Sequence, residues 1–331
     1  MILAGASPAA IEQAAQALAD GELVAFPTET VYGLGADAGS DRAVAKIFEA
    51  KGRPSDHPLI VHVADESAVA MFASDVPDFA HRLMQAFWPG PLTLILPRRS
   101  GVASAAAGGQ DSIGLRCPAH PVAHALLRAC GRANPPVSGL AAPSANKFGR
   151  VSPTTAEHVR DEFGEGLLVL DGGPCRVGIE STIVDCTRGS PVLLRPGVLT
   201  QGEVEAGCGQ PLRAPGELED LEPRASGTLQ SHYAPNAAVR LMDAQALQTA
   251  LDLLGSDAAG IAIYSRAIMR TPSARVLRRR MPDDAAETAR QLFAVLREFD
   301  AQGVRLIWVE TPPEGPQWEG VRDRLQRASA A

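Results

Sequence analysis

Phe26-Pro27-Thr28-Glu29-Thr30-Val31-Tyr32-Gly33-Leu34, followed after one short helical stretch by Lys51-Gly52-Arg53-Pro54, decides how the rest of this chain is read. The first run sets threonines, a carboxylate and a tyrosine between apolar residues and glycines. The second sets two cations one glycine apart. The glycine lets backbone come close to a ligand, Arg53 offers a planar fork of donors, Lys51 adds a compact charge, and Pro54 fixes the chain behind them. Such a pair suits an anion with several charged oxygens, such as a triphosphate. Alone, it reads more readily as a solvated helix end, because cations favour helix C-termini. Together the two runs point to a nucleotide site with a small polar substrate beside it.

Working outward, the spacing predicts a helix over 9–19, a strand over 23–27, and a helix over 41–50 capped by Ser40 or Asp41. Gly33 and Gly35 read as a turn closing the strand before them. Further strands are expected at 59–63, 92–96, 112–116, 137–141 and 167–171, with 181–185 and 192–195 as a strand pair. Helices are expected at 76–87, 121–129 and 154–163, the last begun by Ser152-Pro153-Thr154. This order predicts an α/β (α+β) domain around a mixed sheet over 1–205. Residues 206–236 are rich in Gly, Pro, Glu and Ala without apolar period and read as a linker. Residues 237–331 repeat an αβ pattern, with strands at 239–242, 260–264 and 304–309 and helices at 244–254, 285–299 and 318–328. They predict a smaller open α/β domain.

A chain of 331 residues, 45% of them hydrophobic, is long enough for two cores. Its net charge of -7 argues against a protein that coats nucleic acid by bulk attraction. The five cysteines form no CxxC pair, and an odd number disfavours a disulfide framework, so a reducing cytoplasm is expected. No apolar run approaches the length needed to cross a membrane.

Further residues carry chemistry. His62 sits on an apolar strand, where a histidine is usually a satisfied core residue but here is placed to face a ligand. Ser144-Ala145-Asn146 offers a hydroxyl and an amide beside Lys147 and Arg150. Arg116 and Arg195 each end a strand and fit a bidentate grip on an anion. Ser181 and Thr182 place hydroxyls where an apolar strand begins. Cys117, His120 and His124 resemble metal ligands, but Pro118 and Pro121 break the geometry, so no protein metal site is predicted. The glycines match neither a dinucleotide fingerprint nor a GxxxxGK[ST] phosphate loop.

These stretches together resemble the YrdC-like family of threonylcarbamoyl-AMP synthases, in its long two-domain branch. The likeness rests on PTETVYGLG (27–35), KGRP (51–54), HPLIVHV (57–63), FWPGPLTLIL (87–96), SAN (144–146), ESTIVD (180–185), LRPG (194–197) and SHYAP (231–235). The resemblance implies a YrdC-like twisted, open, mixed sheet with a concave positive pocket, a Rossmann-like second domain, and a linker that closes over the pocket. It implies that L-threonine, bicarbonate and ATP, accompanied by Mg2+, give threonylcarbamoyl-AMP and pyrophosphate. A separate downstream threonylcarbamoyl transferase then modifies the adenosine beside the tRNA anticodon, with only a weak tRNA contact expected of this chain. By motif, Thr30, His62, Arg116, Ala142 and Ser181 would hold threonine. Lys51 and Arg53, also the catalytic cations, would line the ATP side with His57, Ser112, Ser144, Asn146, Ser152, Arg195 and Tyr233. The sequence departs from the family at Ser226-Gly227-Thr228, where its linkers carry Pro-Gly-Met. Two rivals stay open: a carbamoyl-transfer enzyme of the same fold with another acceptor, and a non-catalytic RNA-binding module.

Overall fold

The computed structural model describes residues 1–214, 217, 225, 227 and 232–330. They divide into two compact units, Met1–Phe148 with Ser152–Thr228, and Gly149–Val151 with Leu229–Ala331.

The first unit runs β1 (Ile2–Ala4), α1 (Pro8–Ala19), β2 (Val24–Phe26), β3 (Gly33–Asp37), α2 (Asp41–Lys51), β4 (Ile60–His62), α3 (Val69–Phe72), α4 (Asp78–Phe87), β5 (Leu92–Pro97), β6 (Ser112–Arg116), α5 (Pro121–Cys130), β7 (Leu140–Ala141), α6 (Ala156–Phe163), β8 (Leu168–Asp171), β9 (Thr182–Asp185), β10 (Val192–Arg195) and α7 (Gln201–Cys208). Its strands form one mixed sheet in the order β1-β8-β2-β3-β7-β4-β6-β5-β9-β10. The pairs β4–β6 and β5–β9 are parallel, whereas β5–β6 and β9–β10 are antiparallel.

Successive side chains of a strand point to opposite faces, and this divides the sheet's work. Val61, Leu94, Leu115 and Val184 enter the main core with the apolar residues of α2, α3 and α4. On the other face Ile60, Ile95, Ile183 and Leu194 form a small separate cluster, against which Ala225 packs. Gly114 keeps that face low, since a Cβ there would sit 3.2 Å from Ile95 Cδ1.

Several boundaries differ from the sequence reading. Gly33 and Gly35 belong to β3 rather than to a turn. Gly35 is there for space, since a Cβ would lie 2.8 Å from the Phe26 ring. The strand expected at 137–141 is only Leu140–Ala141. Ser40, not Asp41, caps α2, its hydroxyl accepting from the Ala43 N–H. The helix expected from 154 begins at Ala156 behind the Thr155 cap, so Ser152 does not lie at its N-terminus. Helix α7, closed by a Thr200–Glu203 capping box, spans the 205/206 boundary at which composition alone begins a linker.

The second unit runs β11 (Ala238–Met242), α8 (Ala244–Leu254), β12 (Ile261–Ser265), β13 (Leu277–Arg280), α9 (Ala285–Ala301), β14 (Leu306–Glu310) and α10 (Glu319–Ser329). Its sheet, in the order β11-β14-β12-β13, is parallel throughout. Strand β13 was not anticipated: Leu-Arg-Arg-Arg has no apolar alternation and forms an exposed edge. No described helix is long and apolar enough to cross a membrane.

Candidate active site

The open face of the first sheet carries a row of polar groups across neighbouring strands. His62 at the end of β4 pairs in register with Arg116 at the end of β6. Leu92 of β5 pairs with Thr182 of β9, which puts Thr93 and Ser181 at the near ends of the adjoining strands. Arg195, at the end of β10, pairs with Ile183.

Hydrogen bonds tie this row together. The Thr93 and Ser181 hydroxyls lie 2.7 Å apart. Arg195 donates through Nε and Nη2 to the Ser181 carbonyl, at 3.0 and 2.8 Å, and through Nη2 to the Ser181 hydroxyl at 3.1 Å. Gly197 lets the LRPG turn press onto this backbone, for a Cβ there would lie 2.5 Å from Thr182 N.

Arg116 is buried and held on three sides. Nε donates to the Gly90 carbonyl at 3.2 Å, Nη1 to the Thr30 hydroxyl at 2.9 Å and Nη2 to Glu29 Oε1 at 2.6 Å. Glu29 in turn accepts from the Ala119 N–H at 3.0 Å. Glu29, to which sequence spacing assigns no role, orients Arg116 through its carboxylate. The missed signal is a lone carboxylate in an otherwise buried threonine-rich turn, where only a paired charge is tolerated. Thr28 braces the turn, its hydroxyl donating to the Val31 carbonyl and lying 2.8 Å from Thr30 Oγ1. His62 stands edge-on to Phe26, ring centroids 6.0 Å apart. Burial first, and then the Arg116 charge, lowers its pKa to about 3, so it is a neutral imidazole at physiological pH.

A second cluster forms where α2 ends. Gly52, at φ 64°, turns the chain out of the helix and sets Lys51 and Arg53 on one side. Lys51 Nζ donates to the Ser144 carbonyl at 2.7 Å and to the Asn146 carbonyl. The SAN loop bridges back to the first motif: Ala145 N–H donates to the Tyr32 carbonyl at 2.8 Å, and Ser144 bridges Gly33. Burial, then repulsion from Arg53, drives the Lys51 pKa well below its ordinary value. Arg53 Nη2 donates to the Pro58 carbonyl at 3.0 Å, and its guanidinium lies 5.5 Å from the Phe148 ring centroid. His57 meets the same ring edge-on at 5.5 Å. Phe148 is therefore a further supporting residue, one that sequence spacing did not single out. Ala142 donates its N–H to the Ile60 carbonyl at 2.9 Å, between the two clusters. Buried Ser152 donates to Glu180. Ser112 and Gly114 line a small cavity with Ile60, Ile95 and Ala225. Ser226, Thr228 and Ser231 lie outside the described residues.

Tyr233 belongs to the second unit. Its ring stacks on Phe293 with centroids 5.5 Å apart, and the Arg324 guanidinium lies 5.2 Å from its centre.

In the first unit, Lys51, Arg53, Arg116 and Arg195 are buried with two neighbouring carboxylates, Glu29 and Glu180. Buried cations and hydroxyls gathered at the strand ends of a mixed sheet define a class of site suited to a small, multiply charged anion with a polar companion. Comparison with known proteins gives the family. A family model for Sua5, YciO and YrdC proteins, described as "Telomere recombination", matches residues 16–197. A model described as "Threonylcarbamoyl-AMP synthase, C-terminal domain" matches 198–330. The threonylcarbamoyl-AMP synthase of Pyrococcus abyssi is 39% identical over 96% of this chain and 94% of its own length. That of Bacillus subtilis is 38% identical over 96% of this chain and 92% of its own. A crystal structure of P. abyssi Sua5 complexed with L-threonine superposes with a TM-score of 0.88 at 37% identity, covering 98% of this chain and 95% of that one. The chain belongs to the threonylcarbamoyl-AMP synthase family.

Proposed function

We propose that the open face of the first unit binds L-threonine beside ATP and joins them, through carbon dioxide drawn from bicarbonate, into L-threonylcarbamoyl-AMP. The threonine nitrogen attacks the carbon of carbon dioxide and loses a proton, giving a carbamate. A carbamate oxygen attacks the α-phosphorus, the bond to the β-phosphate oxygen breaks, and pyrophosphate leaves. No protein nucleophile is required, so catalysis rests on positioning and on fixed positive charge where the phosphate oxygens become more negative.

The observation that carries this reading is the division of the buried polar groups into two clusters. Arg116, braced by Glu29 and Thr30, lies beside His62, and the Thr93–Ser181 hydroxyl pair lies on the next strands, a set of donors suited to the carboxylate and hydroxyl of an amino acid. Lys51 and Arg53 sit where the SAN loop meets α2, a set suited to the triphosphate. Neutral His62 accepts or donates a hydrogen bond without adding charge beside the substrate amine. Magnesium enters with the triphosphate as part of the substrate. The acyl adenylate then passes to a separate threonylcarbamoyl transferase acting on tRNA.

Pyrophosphate release from ATP tests the reaction: it should require both L-threonine and bicarbonate. Arg53→Ala should cut the rate by about 10²–10³-fold with the fold intact. Release that ignores threonine would point to another acceptor, and wild-type turnover by Arg53→Ala would remove Arg53 from the site.

A further inference from the structure

The sheet of the second unit carries a buried carboxylate, Glu310, at the end of β14. In open parallel sheets, ligands bind beyond the carboxyl ends of the strands, where neighbouring strands send their connections in opposite directions. Here that place lies between β14 and β12, which pair through Tyr264 and Val309. The chain leaves β12 toward the edge strand β13, whereas beyond β14 it enters α10, which packs beside β11. The residues at this crevice are Ser265 and Glu310, the last of their strands.

Glu310 is buried there. Its Oε2 accepts from the Ser265 hydroxyl at 2.6 Å, the Arg266 N–H at 2.8 Å and the Ala267 N–H at 2.9 Å. Its Oε1 accepts from Arg266 Nη2. Two successive backbone N–H groups, a hydroxyl and a guanidinium converging on one charge make an anion cradle. The Arg266 guanidinium stands 5.9 Å from the Trp318 ring centroid, and its Nη2 also donates to the Thr311 carbonyl at 3.3 Å. Burial pushes the Glu310 pKa up, but the bonds from Ser265, Ala267 and Arg266 outweigh it and hold the carboxyl below its ordinary value. The carboxylate is therefore the form the cradle favours.

We propose that the strand-end crevice of the second unit is a carboxylate-binding site whose resident ligand is the chain's own Glu310. The likeness of this unit to nucleotide-binding sheets then carries no second nucleotide site at that crevice, because an internal anion occupies it. Vacated, the cradle takes a small free carboxylate such as formate or acetate.

Thermal unfolding of the full chain tests this. Glu310→Ala should lower Tm by more than about 5 °C. Formate should restore much of that loss in a saturable way, while equal ionic strength as chloride should not. Wild type and the Glu310→Ala/Arg266→Ala double variant should show no specific response to formate. Should Glu310→Ala fail to fold, Glu310→Gln decides: the proposal expects it to be less stable than wild type, since an amide answers a cradle of donors with only one acceptor. Three outcomes overturn the proposal: Glu310→Ala unmoved by formate, Glu310→Gln as stable as wild type, or rescue by inorganic phosphate alone, which would make the cradle a phosphate site.

Discussion

Lowering the pH should unlock the first unit through His62, and the size of the effect follows from its environment. The imidazole has an ordinary pKa of 6.5 and a folded value of about 3. Between those values the unfolded chain binds a proton that the folded chain refuses. Stability contributed by the neutral ring is thus complete above pH 6.5 and is lost as pH falls toward 3. At pH 5 the unfolded ring is almost fully protonated and the folded ring almost fully neutral, which removes about 2 kcal/mol relative to pH 8. Over the whole interval the loss approaches about 5 kcal/mol. His120 and His124 are also shifted downward, chiefly by burial, and act with the same sign. The informative quantity is therefore the difference between wild type and His62→Gln, each measured at pH 8 and pH 5. Hydrogen exchange at the Val61 and Leu115 amides reports the first unit without interference from the second. His62→Gln should lose about 2 kcal/mol less than wild type between the two pH values. Equal losses in both proteins would mean that His62 is already protonated in the folded state, and that the row beside Arg116 is wetter than its burial implies.

Two further substitutions probe the parts that hold the row in place. Glu29→Gln keeps one acceptor for Arg116 but removes the charge of a pair that is 4% and 6% exposed. It should cost about 2–3 kcal/mol, lowering Tm by roughly 5–10 °C, and should raise the KM for threonine more than that for ATP. Gly197→Ala brings a Cβ to 2.5 Å from Thr182 N and 2.9 Å from the Ser181 carbonyl carbon, neither of which is free to move. A loss of about 1–3 kcal/mol should accompany weaker threonine binding, read by calorimetry. Unchanged binding would place Ser181 outside the threonine contacts.

Much of this architecture was legible because the residues that set the periods also do the packing. Ser112–Arg116 alternates cleanly and is found as read, and the helix predicted at 285–299 occupies Ala285–Ala301 because its apolar residues step by three and four onto one face. What stayed hidden is where structure rests on space or capping instead of pattern. Strand β3 carries two glycines, a sequence that reads as a turn until the Phe26 ring is laid across Gly35. Helix α7 has little apolar period, and its stability comes from the Thr200–Glu203 box and from Gly207, whose missing Cβ admits the Phe87 ring. A propensity sum sees two glycines there, whereas the structure needs one of them for contact.

The site shows the same division one level up. Motifs named the cations, but not the groups that make buried cations tolerable. Lys51 is held by two backbone carbonyls, Arg116 by Glu29, Thr30 and Gly90, and Arg195 by the Ser181 carbonyl. Most of these acceptors are peptide oxygens, which every residue carries, so no residue type advertises them. A carbonyl satisfies a cation's hydrogen bonds without cancelling its charge. That distinction matters to an anion-binding face. Pairing every cation with a carboxylate would have stabilised the empty protein and left no net field for the substrate. The depressed Lys51 pKa follows from burial first and from the nearby Arg53 charge second, and an anion arriving at this face would offset both.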